Sequence, residues 1–241
     1  FDWKNEFTLW QSAVAARPEN PKGYINLGNA YFDRDDIDTA LKHWRKALSM
    51  QQDLPQVWVN MGNAIKRQGD FAEAETCYRK ALDILPEYGL AHFNLALLLE
   101  KQGKSDPALK HMLIAAEYMY GKRNENRRKG LAHYHCARML AARQEMAKAL
   151  PHLVRAERLA PRFAPLYLLK GTLADNPQDA RQAFKMAIRL DPTHGEAYFN
   201  LGVLEWRLGN TSLANQLWEK AVKFNPSIQE MVENIKKTTN S

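Results

Sequence analysis

The chain has 241 residues, 45% hydrophobic and 25% charged, and a formal net charge of +7. That is enough chain for one large core or a repeat array, and the balance excludes an intrinsically disordered polypeptide. No run approaches about 18 consecutive apolar residues, which excludes a bilayer-crossing helix, and two cysteines, Cys77 and Cys136, are too few for a disulfide framework or structural zinc.

In chain order, residues 1–20 place Glu6, Trp10, Ala13 and Pro18 in the register of the second helix of a helix pair whose first helix is missing. From residue 21 the chain repeats itself. Tyr24-Ile25-Asn26-Leu27-Gly28-Asn29-Ala30 returns 34 residues later as Trp58-Val59-Asn60-Met61-Gly62-Asn63-Ala64, then as His92-Phe93-Asn94-Leu95-Ala96, and again as Tyr198-Phe199-Asn200-Leu201-Gly202. A second phrase trails it: Ala40, Trp44, Ala47; Ala74, Tyr78, Ala81; Ala108, Met112, Ala115; Ala149, Leu153, Ala156; Ala180, Phe184, Ala187; Ala214, Trp218, Ala221. Apolar residues three and four apart in both phrases predict two helices per unit. Gly69, Gly103, Gly209 or Asp35 mark the turn between them, and Pro86, Pro161, Pro192 and Pro226 stop the second helix.

The units fall at 21–54, 55–88, 89–122, 130–163, 164–194 and 195–228. Seven additional residues before the fourth predict a basic surface loop over 121–130, and the fifth lacks three residues around Ala174-Asp175-Asn176-Pro177. Residues 227–241 read as a closing helix with Ser227 as N-cap and Ile228, Met231, Val232 and Ile235 turned inward. By register, Trp10, Trp44, Trp58 and Trp218 are core residues.

These phrases resemble the tetratricopeptide repeat (TPR) family over nearly the whole chain. The resemblance implies an all-α fold, a right-handed TPR superhelix (α-solenoid) of about six helix-turn-helix repeats, with an N-terminal half repeat and a C-terminal capping helix. It also implies a module that binds a protein or peptide partner in a concave groove, and no catalytic centre.

The first helices line that expected groove. Position six of the units carries Asn26, Asn60, Asn94, His135, Leu169 and Asn200; position nine carries Asn29, Asn63, Leu97, Arg138, Thr172 and Val203. An Asn amide offers two donors and an acceptor, so a row of them suits a main chain read without regard to sequence. Ile25, Val59, Phe93, Tyr134, Leu168 and Phe199 at position five add apolar walls. The candidate peptide-binding residues are therefore Asn26, Asn29, Asn60, Asn63, Asn94, Phe93 and Asn200, with Tyr134, His135 and Arg138 adding selectivity. The row is similar to the asparagine row of O-linked N-acetylglucosamine transferase, fully in the first two units, partly in the third and sixth, and not in the fourth and fifth. The carboxylate clamp of chaperone-binding repeats fits poorly, because Ile25, Leu90 and Asn94 stand where it needs cations. Two alternatives stand beside peptide binding: the asparagines only cap and bridge neighbouring repeats, or the chain is a scaffold that self-associates.

His133-Tyr134-His135-Cys136 offers only His133 and Cys136 on one helical face, too few for a metal, so no metal site is expected. No cofactor is expected either. The basic stretch Lys122, Arg123, Arg127, Arg128 and Lys129 lacks interleaved aromatics, which argues against nucleic acid. The opening Trp3-Lys4-Asn5-Glu6-Phe7-Thr8-Leu9-Trp10 is similar to the segment after the last membrane span of glycosyltransferase-like membrane proteins with repeat-bearing tails. That resemblance, with a first residue that is not Met, implies a piece of a longer protein, tethered to a membrane through a preceding part and lying outside the cytoplasm (periplasmic). A cytoplasmic adaptor is the alternative.

Overall fold

The computed structural model describes residues 3–119 and 123–238. Every regular element among them is helical. A single helix, α1 (Trp3–Ala16), precedes six pairs: α2 (Pro21–Asp33) with α3 (Ile37–Met50), α4 (Pro55–Gln68) with α5 (Phe71–Ile84), α6 (Gly89–Lys101) with α7 (Ser105–Tyr118), α8 (Arg123–Ala142) with α9 (Met146–Leu159), α10 (Ala164–Thr172) with α11 (Pro177–Leu190), and α12 (Gly195–Arg207) with α13 (Thr211–Phe224). A 3-10 turn (Pro226–Ile228) leads into α14 (Gln229–Thr238). The chain divides into two compact units, Phe1–Glu125 and Asn126–Ser241.

Each pair is made by the same local physics. Asp36 and Asp70 cap α3 and α5 by accepting from the backbone N–H of Thr39 and Glu73, and Asn176 caps α11 through Asp179. In five of the six pairs the chain reverses between helices through a left-handed residue. Gly69, Gly103 and Gly209 take that conformation freely, but Asp35 (φ 66°) and Gln144 (φ 62°) adopt it with a Cβ.

Within a pair the two helices meet where the first has no side chain. A Cβ added to Gly28 would stand 2.5 Å from Trp44 Nε1, and one on Gly62 2.6 Å from Tyr78. Gly171 meets Phe184 and Gly202 meets Trp218 in the same way. Trp44, Tyr78 and Trp218 are at most 1% exposed, and the alanines flanking them on the second helix (Ala40, Ala47, Ala74, Ala81, Ala214, Ala221) are at 0%. Close backbone approach and large buried rings thus depend on each other. In the first unit α2 also packs on α4, and α4 on α6, so the first helices lie side by side.

Four expectations are corrected. Residues 123–130, read as loop, are the first turns of the 20-residue α8. Arg, Glu and Lys favour helix, and Gly130 sits inside the helix because its bare backbone lies against Ala160. Residues 120–122 lie outside the described residues. Asn225 rather than Ser227 caps the closing segment, accepting from the Ser227 N–H and hydroxyl. Met231 is 46% exposed while Ile228 and Val232 are buried. Trp44 and Trp218 are core, whereas Trp10 and Trp58 are half-buried; Lys80 Nζ lies 4.5 Å from the Trp58 ring centre.

Candidate functional site

In the first unit, α2 carries Asn26 and Asn29, α4 carries Asn60 and Asn63, and α6 carries Phe93 and Asn94. The structure joins these amides to each other and to the core. Asn29 Oδ1 accepts from Trp44 Nε1 at 3.2 Å and from Asn60 Nδ2 at 3.0 Å, the latter bond crossing from one repeat to the next. One repeat on, Asn63 Oδ1 accepts from the Tyr78 hydroxyl at 2.8 Å. The buried ring that fills the space beside Gly28 or Gly62 therefore also keeps the amide of the next residue, Asn29 or Asn63, from rotating freely.

Donors and acceptors are used unequally. The acceptor oxygens of Asn29 and Asn63 are engaged, while their Nδ2 groups have no partner among the described residues. Asn94, 8% exposed, has a buried Nδ2 with no partner. Asn94 stands where Asn60 stands one repeat earlier, but its neighbour's oxygen is engaged by Tyr78 rather than by the next asparagine. Asn26 is half-buried, and its side chain bonds to no described residue.

Basic residues gather further along α4 and α6, past Asn63 and Asn94. Lys66, Arg67 and Lys101 line a cavity of about 480 Å³ floored by Phe71, Leu97 and Leu98. Arg67 meets Asp35 at 3.1 Å, and Lys101 lies over the Phe71 ring at 4.3 Å. Burial, and then the charge of Lys101, push the Lys66 pKa down.

In the second unit Tyr134, His135 and Arg138 come together on α8. The Tyr134 ring sits edge-on to His135 (5.2 Å) and Phe163 (5.0 Å), and Arg138 Nη2 is 3.4 Å from His135 Nδ1. Asn200 of α12 lies apart from that trio, lining a cavity of about 390 Å³ with Phe184, Val203 and Arg207.

Sequence reasoning passed over the histidine pairs. His92 Nδ1 lies 2.7 Å from His111 Nδ1, and His133 Nδ1 lies 2.9 Å from His152 Nδ1. The signal was available, since both pairs share the 19-residue offset that joins Trp44 to Ile25. Burial first, and the facing histidine second, push His111 and His133 each down to about 4. Burial raises the thiols of Cys77 to about 11 and Cys136 to about 12, so neither is a ready nucleophile. Among the described residues no three His, Cys, Asp or Glu side chains gather as metal ligands, and no helix is long and apolar enough to cross a membrane.

Helix pairs that meet at a small residue and a buried ring define a helical repeat scaffold. Two Tetratricopeptide repeat profiles match residues 53–116 and 174–227, and a TPR repeat profile matches residues 28–69. The chain belongs to the tetratricopeptide repeat family, whose fold is that of a protein–protein interaction scaffold and is generally non-enzymatic. No curated protein sequence matches it. Among solved structures, it is similar to pilF of Pseudomonas aeruginosa (TM-score 0.77, 17% identity, 92% of this chain and 99% of that one). It is similar to YrrB, a TPR protein described as having an unusual peptide-binding site (TM-score 0.53, 21% identity, 95% and 97%). It is also similar to a chain of the APC/C hetero-tetramer Cut9-Hcn1 (TM-score 0.72, 13% identity), covering 98% of this chain but only 46% of that one.

Proposed function

We propose that the chain binds an extended, acidic segment of a partner polypeptide along α2, α4 and α6, with the asparagines holding its main chain. The observation that carries this reading is the unequal use of the amides. Oxygens held by Trp44, Asn60 and Tyr78 fix the orientation of Asn29 and Asn63, and the unpartnered Nδ2 groups remain as donors for carbonyls. Asn29 and Asn60 thus bridge two repeats, Asn63 is held within its own, and Asn29 and Asn63 prepare the face. Lys66 and Lys101 supply the preference for acidic segments.

A fluorescein-labelled, unstructured peptide of Gly, Ser and Glu tests it by fluorescence polarisation, with the Gly, Ser and Lys counterpart as control. The acidic peptide binds the whole chain more tightly. Lys66→Ala with Lys101→Ala removes that preference, and Asn63→Ala weakens binding. Equal binding of both peptides, or binding indifferent to all three substitutions, would falsify the proposal.

A further inference from the structure

The second unit carries an apolar socket that repeat packing leaves open. Its cause is the three-residue deletion in the fifth repeat. The equivalent first helices α2, α4, α6 and α12 have 13 or 14 residues, but α10 has nine. Second-helix residues at one repeat position reach the end of the following first helix: Glu75 bonds Gln102, and Arg181 bonds Glu205. Leu150 of α9 stands at that position with the end of α10 missing. Leucines at the same position elsewhere, Leu41 and Leu109, are 4% and 7% exposed; Leu150 is 48% exposed. The result is a cavity of about 440 Å³ lined by Leu150, Leu153, Tyr167, Leu173 and Met186.

Two further features single it out. One turn along α9, Val154 is 66% exposed, at a position where Arg45, Arg79, Lys185 and Glu219 present exposed charges in four other repeats and the third carries the less exposed Leu113 (37%). The apolar floor thus continues onto solvent-facing helix surface. The rim is acidic on a chain of net charge +7. Glu157 is neutralised by Lys170 at 2.7 Å, but Asp175 and Asp179, which also line the cavity, meet no cation among the described residues.

We propose that this socket on α9, α10 and α11 is a second docking site, taking a partner polypeptide that inserts a large aliphatic side chain beside an arginine or lysine. The missing turn provides the hole, Leu150 and Met186 the apolar contact, and Asp175 and Asp179 the charge partner. The site is independent of the asparagine-bearing face.

Fluorescence polarisation with the whole chain tests it, using labelled Gly-Ser peptides that carry one leucine flanked by arginines, the same leucine flanked by glutamates, or alanine between arginines. The arginine–leucine peptide binds at least about tenfold more tightly than either control. Leu150→Asp abolishes that binding, and Val154→Asp, at a more exposed position, weakens it. Asp175→Asn narrows the gap between the arginine and glutamate peptides, and Asn63→Ala has no effect. Equal binding of all three peptides, no binding, or binding that survives both aspartate substitutions with the melting curve unchanged would overturn the proposal. So would a dimer in sedimentation that Leu150→Asp dissociates, which would give the socket to a second copy of the chain.

Discussion

Replacing Asn29 by alanine removes one oxygen that serves two donors from different parts of the fold. Trp44 Nε1 keeps a second acceptor, Ile25 O at 3.2 Å, so its loss is partial, although a 1% exposed indole N–H tolerates little. Asn60 Nδ2 loses its one partner among the described residues, but it is half-buried and water replaces part of the bond. With a typical hydrogen bond contributing roughly 0.5–1.5 kcal/mol net, Asn29→Ala costs about 1–2 kcal/mol. Asn60→Ala costs about 0.5–1 kcal/mol, for one bond. Because both act through one contact, the double variant falls short of additivity by about 0.5–1 kcal/mol. Asn26→Ala, whose side chain bonds nothing described, stays within about 0.5 kcal/mol. Urea unfolding followed by tryptophan fluorescence and by far-UV circular dichroism measures all four proteins. Strict additivity of Asn29→Ala and Asn60→Ala, or a cost for Asn26→Ala equal to that for Asn29→Ala, would refute the bridging role.

Other consequences follow from the same geometry. Gln144→Gly relieves a left-handed residue at a turn position where Gly69, Gly103 and Gly209 stand in other repeats, and raises stability by about 0.5–1 kcal/mol in thermal unfolding, net of the freedom glycine adds to the unfolded chain. Gly62→Val drives a side chain into Tyr78 and costs well over about 2 kcal/mol, whereas Gly69→Ala, which meets no atom but needs φ of 93°, costs only about 1 kcal/mol. The histidine pairs make stability pH-dependent. His111 and His133 fold with pKa values near 4, below the unfolded value of 6.5, so the unfolded chain takes up protons first. Their contribution is complete above about pH 6.5 and declines as pH falls toward about 4, by at most about 1.4 kcal/mol per pH unit for each group. His152→Gln flattens this acid-side decline, and an unchanged pH profile would contradict the pairing.

Repeat register made most of the fold legible. Gly28 and Trp44 are separated in sequence by the distance that brings them together in space, and the pattern recurs at Gly62 and Tyr78 and at Gly202 and Trp218. The start of α8 was not legible, because a run of charged residues ending in glycine fits an exposed helix as well as a loop. Positions of the asparagines could be read, but not their bonds. Whether Asn63 meets an asparagine or a tyrosine depends on side-chain reach across a repeat interface, which a period does not encode. The deletion in the fifth repeat was visible as missing letters; its effect, an uncovered Leu150, required the packing of three helices.

The most direct measurement of the central idea is the side-chain amide spectrum of the ¹⁵N-labelled chain, titrated with the acidic Gly-Ser-Glu peptide. If Asn29 and Asn63 donate to a bound main chain, their NH₂ resonances move together with saturation, and those of Asn225, which caps the closing turn, stay still. Saturable binding with the Asn29 and Asn63 signals unmoved would contradict the account and leave Asn29 as a bridge between repeats and Asn63 as a partner of Tyr78 within one.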